Sequence, residues 1–501
     1  MPNPDDRPFS LRAFRDAELT STPTQTQGSQ PTVTVVGGGV AGLSAACALA
    51  DAGFRVTVLE RRGYLGGRAS SYLHPGTSEV IDNCQHVLFG CCTNLVDLYK
   101  RLGVEDKIFW DSRMTMIEPG GRRSTLLPMP LPAPLHGLPS ILGALCYSLA
   151  DKVSLLTAFN KLIYLRDPDP TQSLQSWLDA HHQTPGAIKR FWHLVIASAL
   201  NADLDQISLP YAVKVIRELF LNSAHAGKMG MSTIPMSDLY EGAQSYLNQR
   251  GGTIQFNTNV ESATWDEHQR QWTLQSRDLQ IRSEQLVLAL PFEATAKLLP
   301  SMPANAAATA LANQMQKLTH WPICSVHLWY DREITELNHA VLLDREIHWM
   351  YHKSRWQPQR DSSASYLELV ISANREFAAL PREEAISRAT TQLAEFFPQI
   401  KQATLLKAAL IKEVRATFGV PPGIDTNRPT AESPWPNCFL AGDWTATGWP
   451  STMESAARSG YLAAEALCQA QGDARQILVP DLKPTGLMRF FPKLTNSFPV
   501  R

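Results

Sequence analysis

Residues 33–46, VTVVGGGVAGLSAA, set Gly37-x-Gly39-x-x-Gly42 between a β-branched run and a small-residue stretch with helical spacing. The run at 33–36 reads as a strand, 40–52 as a helix, and RVTVL at 55–59 as a second strand closed by Glu60. Each glycine has its own role in such a turn. Gly37 permits the tight bend, Gly39 lets a pyrophosphate approach the backbone, and Gly42 allows close packing of helix on strand. The helix start offers free amides to phosphate oxygens, and a carboxylate at Glu60 accepts hydrogen bonds from a ribose. Strand, turn, helix, strand and terminal acid together predict a doubly wound α/β domain that binds a dinucleotide.

The rest of the composition narrows the class. A chain of 501 residues is too long for one hydrophobic core, so two or three domains are expected. Lys plus Arg is 46 against 47 Asp plus Glu, a net charge of −1, with no basic run that would favour nucleic acid as a partner. The eight cysteines form no C-x-x-C and no zinc pattern, which suits a reduced, cytoplasmic chain without a metal. The adjacent Cys91 and Cys92 read as the start of a buried helix. Residues 1–30 carry acids, lack the apolar core of a signal peptide and read as a disordered leader. The longest charge-free stretch, 124–150, is broken by Pro128, Pro130, Pro132, Pro134 and Pro139, so no membrane-spanning helix is expected.

Helical spacing recurs at 93–103, over most of 150–223 with a break at 167–170, at 237–251, at 382–397 and at 452–468. Strands are expected in a meander over 253–283, in the run LVLAL at 286–290, which is apolar on both faces and so returns to the central sheet, and in NCFLAGD at 437–443. The resulting division is 31–125, 230–300 and 405–472 for the nucleotide domain. Segments 126–229, mostly helical, and 301–404 form an inserted α+β substrate domain, and 473–501 is a tail.

The choice of dinucleotide turns on ERRGYLGGR at 60–68 and on FLAGDWTATGWPSTMESAARSGYLAA at 439–464. Both resemble the amine-oxidase and phytoene-desaturase superfamily of FAD enzymes. The resemblance implies non-covalent FAD, with Gly66, Gly67 and Arg68 along the pyrophosphate and ribityl chain and Asp443 at the ribityl group. Ser451 and Glu454 also have the spacing of a capping box, with Ser451 as N-cap. Further cofactor contacts implied by the resemblance fall on Ala41, Arg61, Cys84, Gln85, Val260, Gly442, Thr452 and Met453.

Residues 80–106, VIDNCQHVLFGCCTNLVDLYKRLGVED, and 414–429, VRATFGVPPGIDTNRP, are similar to the squalene-associated FAD-dependent desaturases, the hydroxysqualene dehydroxylases of hopanoid biosynthesis. The similarity spans about residues 31–472. Cys84 stands where that pattern has glycine. The likeness implies reductive loss of the hydroxyl of hydroxysqualene to give squalene, with 82–90 beside the flavin. His86 is then a candidate to donate a proton or to position the group that does, and Asp82 a candidate donor or loop anchor. Trp349, Tyr351, Trp444 and Trp449 are candidates for an aromatic lining that stabilises a cation. A carotenoid-type desaturase, an amine oxidase and a non-catalytic flavin-bearing lipid carrier are the rival readings. The proline-rich apolar stretch and the aromatic, basic C-terminus GLMRFFPKLTNSFPVR suggest contact with a membrane surface, at the inner face of the cytoplasmic membrane. Packing of both segments on the body is the other reading, and no motif identifies an electron donor.

Overall fold

Burial of Val33, Thr34, Val35 and Val36 on both faces accompanies the place of the strand Thr32–Val36 (β1) at the centre of a five-stranded sheet in the computed structural model of the chain. The structure describes residues 30–494 except 278, 358, 359 and 361–363, so the leader up to residue 29 lies outside the described residues. After β1 come the helix Val40–Asp51 (α1), Arg55–Leu59 (β2), Thr253–Gln255 (β3), Gln285–Leu288 (β4), Cys438–Leu440 (β5) and the helix Met453–Ala470 (α2). The strand order is β3-β2-β1-β4-β5 and every pairing is parallel. The chain leaves β1 toward β2 on one side, while β4 lies on the other. Between the carboxyl ends of β1 and β4 is therefore a switch point, where an open parallel sheet leaves a crevice for a ligand.

The expected meander is present as Ser262–Asp266, Gln271–Ser276 and Leu279–Ser283, paired antiparallel, and the apolar run after it re-enters the parallel sheet as β4. A second sheet has seven strands, in the order Leu405–Phe418, His320–Tyr330, Ser365–Ser372, Trp349–His352, His339–Leu342, Met114–Ile117 and Arg123–Leu126. One of its faces, with Val326, Leu328, Leu367 and Leu369, packs on the helix Arg382–Phe396 through Ala385, Ala389 and Leu393. Its other face carries Trp349, Tyr351, Val370 and a row of polar side chains.

Two of the expected boundaries need correction. Segment 31–125 was assigned whole to the nucleotide domain, yet its last strands, Met114–Ile117 and Arg123–Leu126, belong to the seven-stranded sheet. Segment 405–472 likewise begins with Leu405–Phe418, which pairs with His320–Tyr330 at the edge of that sheet. Partner choice by a strand depends on distant residues, so neither assignment was available to a local pattern. For the C-terminal segment the described residues follow the second of the two readings, packing on the body. Residues 481–492 lie along the body, with Thr485 N donating to Asn222 O at 2.8 Å, Leu487 N to Ala133 O at 2.7 Å, and Met488 buried.

The helical part of the substrate domain includes Leu149–Tyr164, whose start is closed by a reciprocal pair of Ser148 and Asp151. Two short π-helical segments, Ile188–His193 and Arg217–Leu221, interrupt its later helices. Among the described residues no helix is long and apolar enough to cross a membrane.

Candidate active site

The glycine turn has the geometry its spacing implies. Gly37 sits at φ +113°, and a Cβ on Gly42 would lie 1.9 Å from the Gly37 carbonyl oxygen, so neither position takes a side chain. Gly39 is different: a Cβ there would meet nothing closer than Gly67 Cα at 3.8 Å. That open space adjoins the start of α1, where no side chain caps the helix and no acid stands in the first turn, which includes Ala41. The amides there are left for an outside acceptor. Buried Glu60 accepts from Gly38 N at 2.7 Å through Oε2 and from Arg62 N at 2.8 Å through Oε1, which fixes the carboxylate beside the loop. Gly66 N donates to Gly38 O at 2.9 Å and brings the second glycine pair against the first. Arg61 is exposed at the rim, whereas Arg62 reaches back to Gly67 O at 2.9 Å. Nothing in the sequence separates these adjacent arginines. Val260, half-buried, follows the turn in which Thr258 N donates to Glu60 O at 2.9 Å.

Arg68 and Asp443, 375 residues apart, form an ion pair, and Arg68 also donates to Ala416 O at 2.9 Å. Gly442 N donates to Ser459 Oγ at 2.8 Å, which ties this turn to α2. The expected capping box is displaced. Thr452, not Ser451, caps α2, with Oγ1 accepting from Ser455 N at 3.1 Å, and Met453 is the first helical residue. Ser451 instead donates to Asp443 Oδ2 at 2.5 Å. Glu454 points away from its own helix start and accepts from Leu95 N at 2.9 Å and Asn94 Nδ2 at 2.8 Å. It thereby caps the helix Thr93–Arg101, whose N-cap Cys92 makes no capping hydrogen bond with its side chain.

The segment from Asp82 to Gly90 joins the two domains. Asp82 accepts from Ser71 Oγ at 2.5 Å and Met236 N at 3.1 Å and is ion-paired with Lys353 of the substrate domain. Burial works to raise its carboxyl, but Lys353 and these donors outweigh it and hold Asp82 below the usual carboxylate range. Asp82 is thus an anchor that accepts and does not donate. Lys353 meets a second carboxylate, Glu368 Oε2, at 2.6 Å, and Ser325 Oγ donates to Glu368 Oε1 at 2.6 Å. Lys353, Asp82 and Glu368 are all buried. Burial pushes the neighbouring His327 down to about 4, so it is neutral. Sequence reasoning did not find Lys353, Glu368 or His327, since no motif links them and they meet only through the pairing of strands.

Within the same segment, burial raises the Cys84 thiol well above its ordinary value. Gln85 Nε2 donates to His86 O at 2.9 Å, while its Oε1 is buried with no partner. His86 Nδ1 lies 2.7 Å from the Cys84 carbonyl and donates to it. Burial lowers the His86 imidazole below its ordinary value, so the ring is neutral near pH 7 and braces the backbone of this segment. Of the four aromatic candidates, Trp349 and Tyr351 stack with ring centres 5.7 Å apart on the inner face of the large sheet. Trp444 is buried with Nε1 donating to Leu290 O at 2.9 Å, and Trp449 packs in the nucleotide domain under Lys214. They do not form one lining.

An apolar cavity of about 240 Å³ opens beside the proline-rich stretch, walled by Leu127, Pro134, Ile141, Phe159, Phe220 and Met229 among others. Met229 pairs with Phe89, and Met231 with Val87, on the strand that continues from His86. Three strand residues, about 10 Å, therefore separate the cavity wall from the level of His86.

FAD fits the residues present. The uncapped start of α1, the open space at Gly39, the fixed Glu60 carboxylate and the unpartnered Gln85 Oε1 are each what a bound dinucleotide would complete. The comparisons agree. The chain is 27% identical to a 15-cis-phytoene desaturase of Synechococcus elongatus, over 89% of this chain and 97% of that one. It is 24% identical to a probable zeta-carotene desaturase of the same organism, over 88% and 99%. Among solved structures, a putative protoporphyrinogen oxidase from Exiguobacterium matches with a TM-score of 0.65 at 16% identity, covering 88% of this chain and 99% of that one. Putrescine oxidase matches with a TM-score of 0.67 at 16% identity, over 88% and 98%, which speaks for the fold. The family model described as flavin-containing amine oxidoreductase matches residues 40–468. The protein is an FAD-dependent oxidoreductase and belongs to the flavin-containing amine oxidoreductase family.

Proposed function

We propose that the protein removes the hydroxyl of hydroxysqualene reductively to give squalene. The observation that carries the class of substrate is the apolar cavity, which lies a few residues along the strand from the 82–86 segment. A cavity of this size holds part of a long chain, and it calls for a ligand that is itself apolar. The choice of the alcohol rests on the string DN-x-QHVL-x-GC at 82–91.

Reduced FAD supplies a hydride. The chain's own residues hold the cofactor at the glycine turn and Glu60, fix the flavin-side segment through Asp82 and Lys353, and enclose the reacting carbon in apolar walls that exclude water from an electron-poor centre. Dehydrogenation of a carotenoid precursor is the second reading, favoured by relatives named as phytoene and zeta-carotene desaturases at 24–27% identity. A carrier without turnover is the third.

The proposal extends to location, at a membrane surface on the cytoplasmic side. Leu127 and Leu135, which line the cavity, are exposed, as are Met129, Leu131, Leu142 and Leu145 of the same stretch and, at 78%, Phe490 of the C-terminal segment. Anaerobic mixing of the dithionite-reduced protein with hydroxysqualene and, separately, of the oxidised protein with phytoene tests the reaction. Flavin reoxidation with squalene formed is the expected result. Flavin reduction by phytoene in the oxidised protein would favour desaturation, and no change with either isoprenoid would favour a carrier.

A further inference from the structure

Loss of hydroxide from an alcohol at neutral pH needs an acid, and neither His86 nor Asp82 is disposed to be one. His86 is neutral with Nδ1 engaged by a carbonyl, and Asp82 is ionised beside Lys353. A different pair has the right arrangement. His339, 4% exposed, has Nε2 at 3.4 Å from Asp111 Oδ2, within ion-pair range, and both of its ring nitrogens are buried without a hydrogen bond. Asp111 is itself held by Arg113 N at 2.8 Å through its other oxygen. Burial works to raise the Asp111 carboxyl, but His339 and the Arg113 amide outweigh it and keep it below the usual range, so an anion faces the ring.

Sheet register puts this pair between the cavity and the flavin-side segment. Val341 pairs in parallel with Met116, so His339 is level with Met114, which lines the cavity. Asp111 pairs with Met229, a second cavity residue. On its other side His339 pairs with Tyr351, whose hydroxyl is pushed well above its ordinary value by burial first and by the nearby Cys84 thiol second. One nitrogen of the imidazole faces a carboxylate at ion-pair distance, and the other is buried without a partner. That is the disposition of a general acid, whose contacts tighten only when substrate is bound.

We propose that His339, oriented by Asp111, donates the proton to the departing oxygen of the isoprenoid alcohol, an inference that rests on the dehydroxylation reading above. The proton passes from imidazolium Nδ1 to the hydroxyl, and the C–O bond breaks with its electron pair leaving on water. The hydride that completes the replacement at carbon is the one that FAD, when bound and reduced, would supply. Alcohol, proton and hydride give hydrocarbon and water, and the neutral ring regains a proton from solvent on the side of Asp111, whose side chain is 22% exposed.

The test uses the FAD-loaded, reduced protein in single turnover with hydroxysqualene and with its acetate ester, because a carboxylate leaves without protonation. In His339→Gln, reoxidation by the alcohol should fall by about 10²-fold or more, while the ester reacts within a few-fold of the wild-type rate. Binding of the alcohol, read from the oxidised flavin absorbance, should persist. Asp111→Asn should slow the alcohol and spare the ester in the same sense, which keeps the question open to decision if His339→Gln folds poorly. An unchanged alcohol rate in both variants, or equal losses for alcohol and ester, overturns the proposal. A wild-type protein that ignores both compounds but oxidises phytoene overturns the dehydroxylation reading and this inference with it. Turnover of hydroxysqualene by wild type and variants alike overturns the role of His339 alone.

Discussion

Gly39 and Gly42 look interchangeable in the motif but differ in what surrounds them. A side chain at Gly42 collides with the Gly37 carbonyl and disturbs the fold, whereas Gly39 faces open space that only a cofactor would fill. Gly39→Val should therefore fold as the wild type does yet lose flavin. Losing one or two charge-assisted hydrogen bonds of ~1.5–3 kcal/mol weakens binding by about tenfold or more, which the flavin absorbance of the purified protein reads directly. Retention of full flavin would separate the turn from the cofactor. Lys353 is a residue of the opposite kind, invisible in sequence and central in the structure. Lys353→Met leaves Asp82 and Glu368 buried together without their cation, at a cost of about 3–5 kcal/mol. Chemical denaturation followed by far-UV circular dichroism measures it, and a change under 1 kcal/mol would show that the cluster is already relieved by other partners.

Elements expose what local pattern can and cannot convey. The glycine turn, α1 and β2 were legible because they are fixed by chain neighbours, and Arg68 and Asp443 because each stands inside its own short motif. Their pairing was not written in either motif. The cap of α2 moved by one residue because Ser451 found a better partner in Asp443, a contact that no helix-start rule contains. The catalytic candidates were the least legible, since His339 and Asp111 come from strands that meet only through the register of two sheets. The π-helical segment Arg217–Leu221 carries a further consequence. Burial raises Glu218 to about 7, with Lys214 only partly offsetting it. A carboxyl whose folded pKa lies above its unfolded value binds protons more tightly when folded, so its stabilising contribution is complete below about 4.5 and is lost as pH rises toward 7. The difference is about 3 kcal/mol at most. Glu218→Gln should remove that dependence, so denaturant midpoints at pH 5 and pH 7.5 should lie closer together in the variant than in the wild type, apart from what other groups contribute to both.

On the scale of the whole molecule, the exposed leucines beside the proline-rich stretch, with Leu145 at 63% and Leu149 at 77% exposure, form an edge that water does not favour. Flotation with liposomes should carry the protein upward, and Leu145→Glu with Leu149→Glu should leave most of it at the bottom of the gradient. Co-flotation unaffected by these changes would move the contact elsewhere. The sheet that holds FAD is assembled from residues 32–59, 253–255, 285–288 and 438–440, in that temporal order of synthesis. At about 5–20 residues per second the last strand leaves the ribosome roughly 20–80 s after the first begins. Until then β4 lacks its neighbour β5, Arg68 lacks Asp443, and the helix Thr93–Arg101 lacks the carboxylate that caps it. FAD must therefore be acquired by a finished polypeptide, and a chain stalled before residue 438 should bind none of it however much flavin the cell supplies.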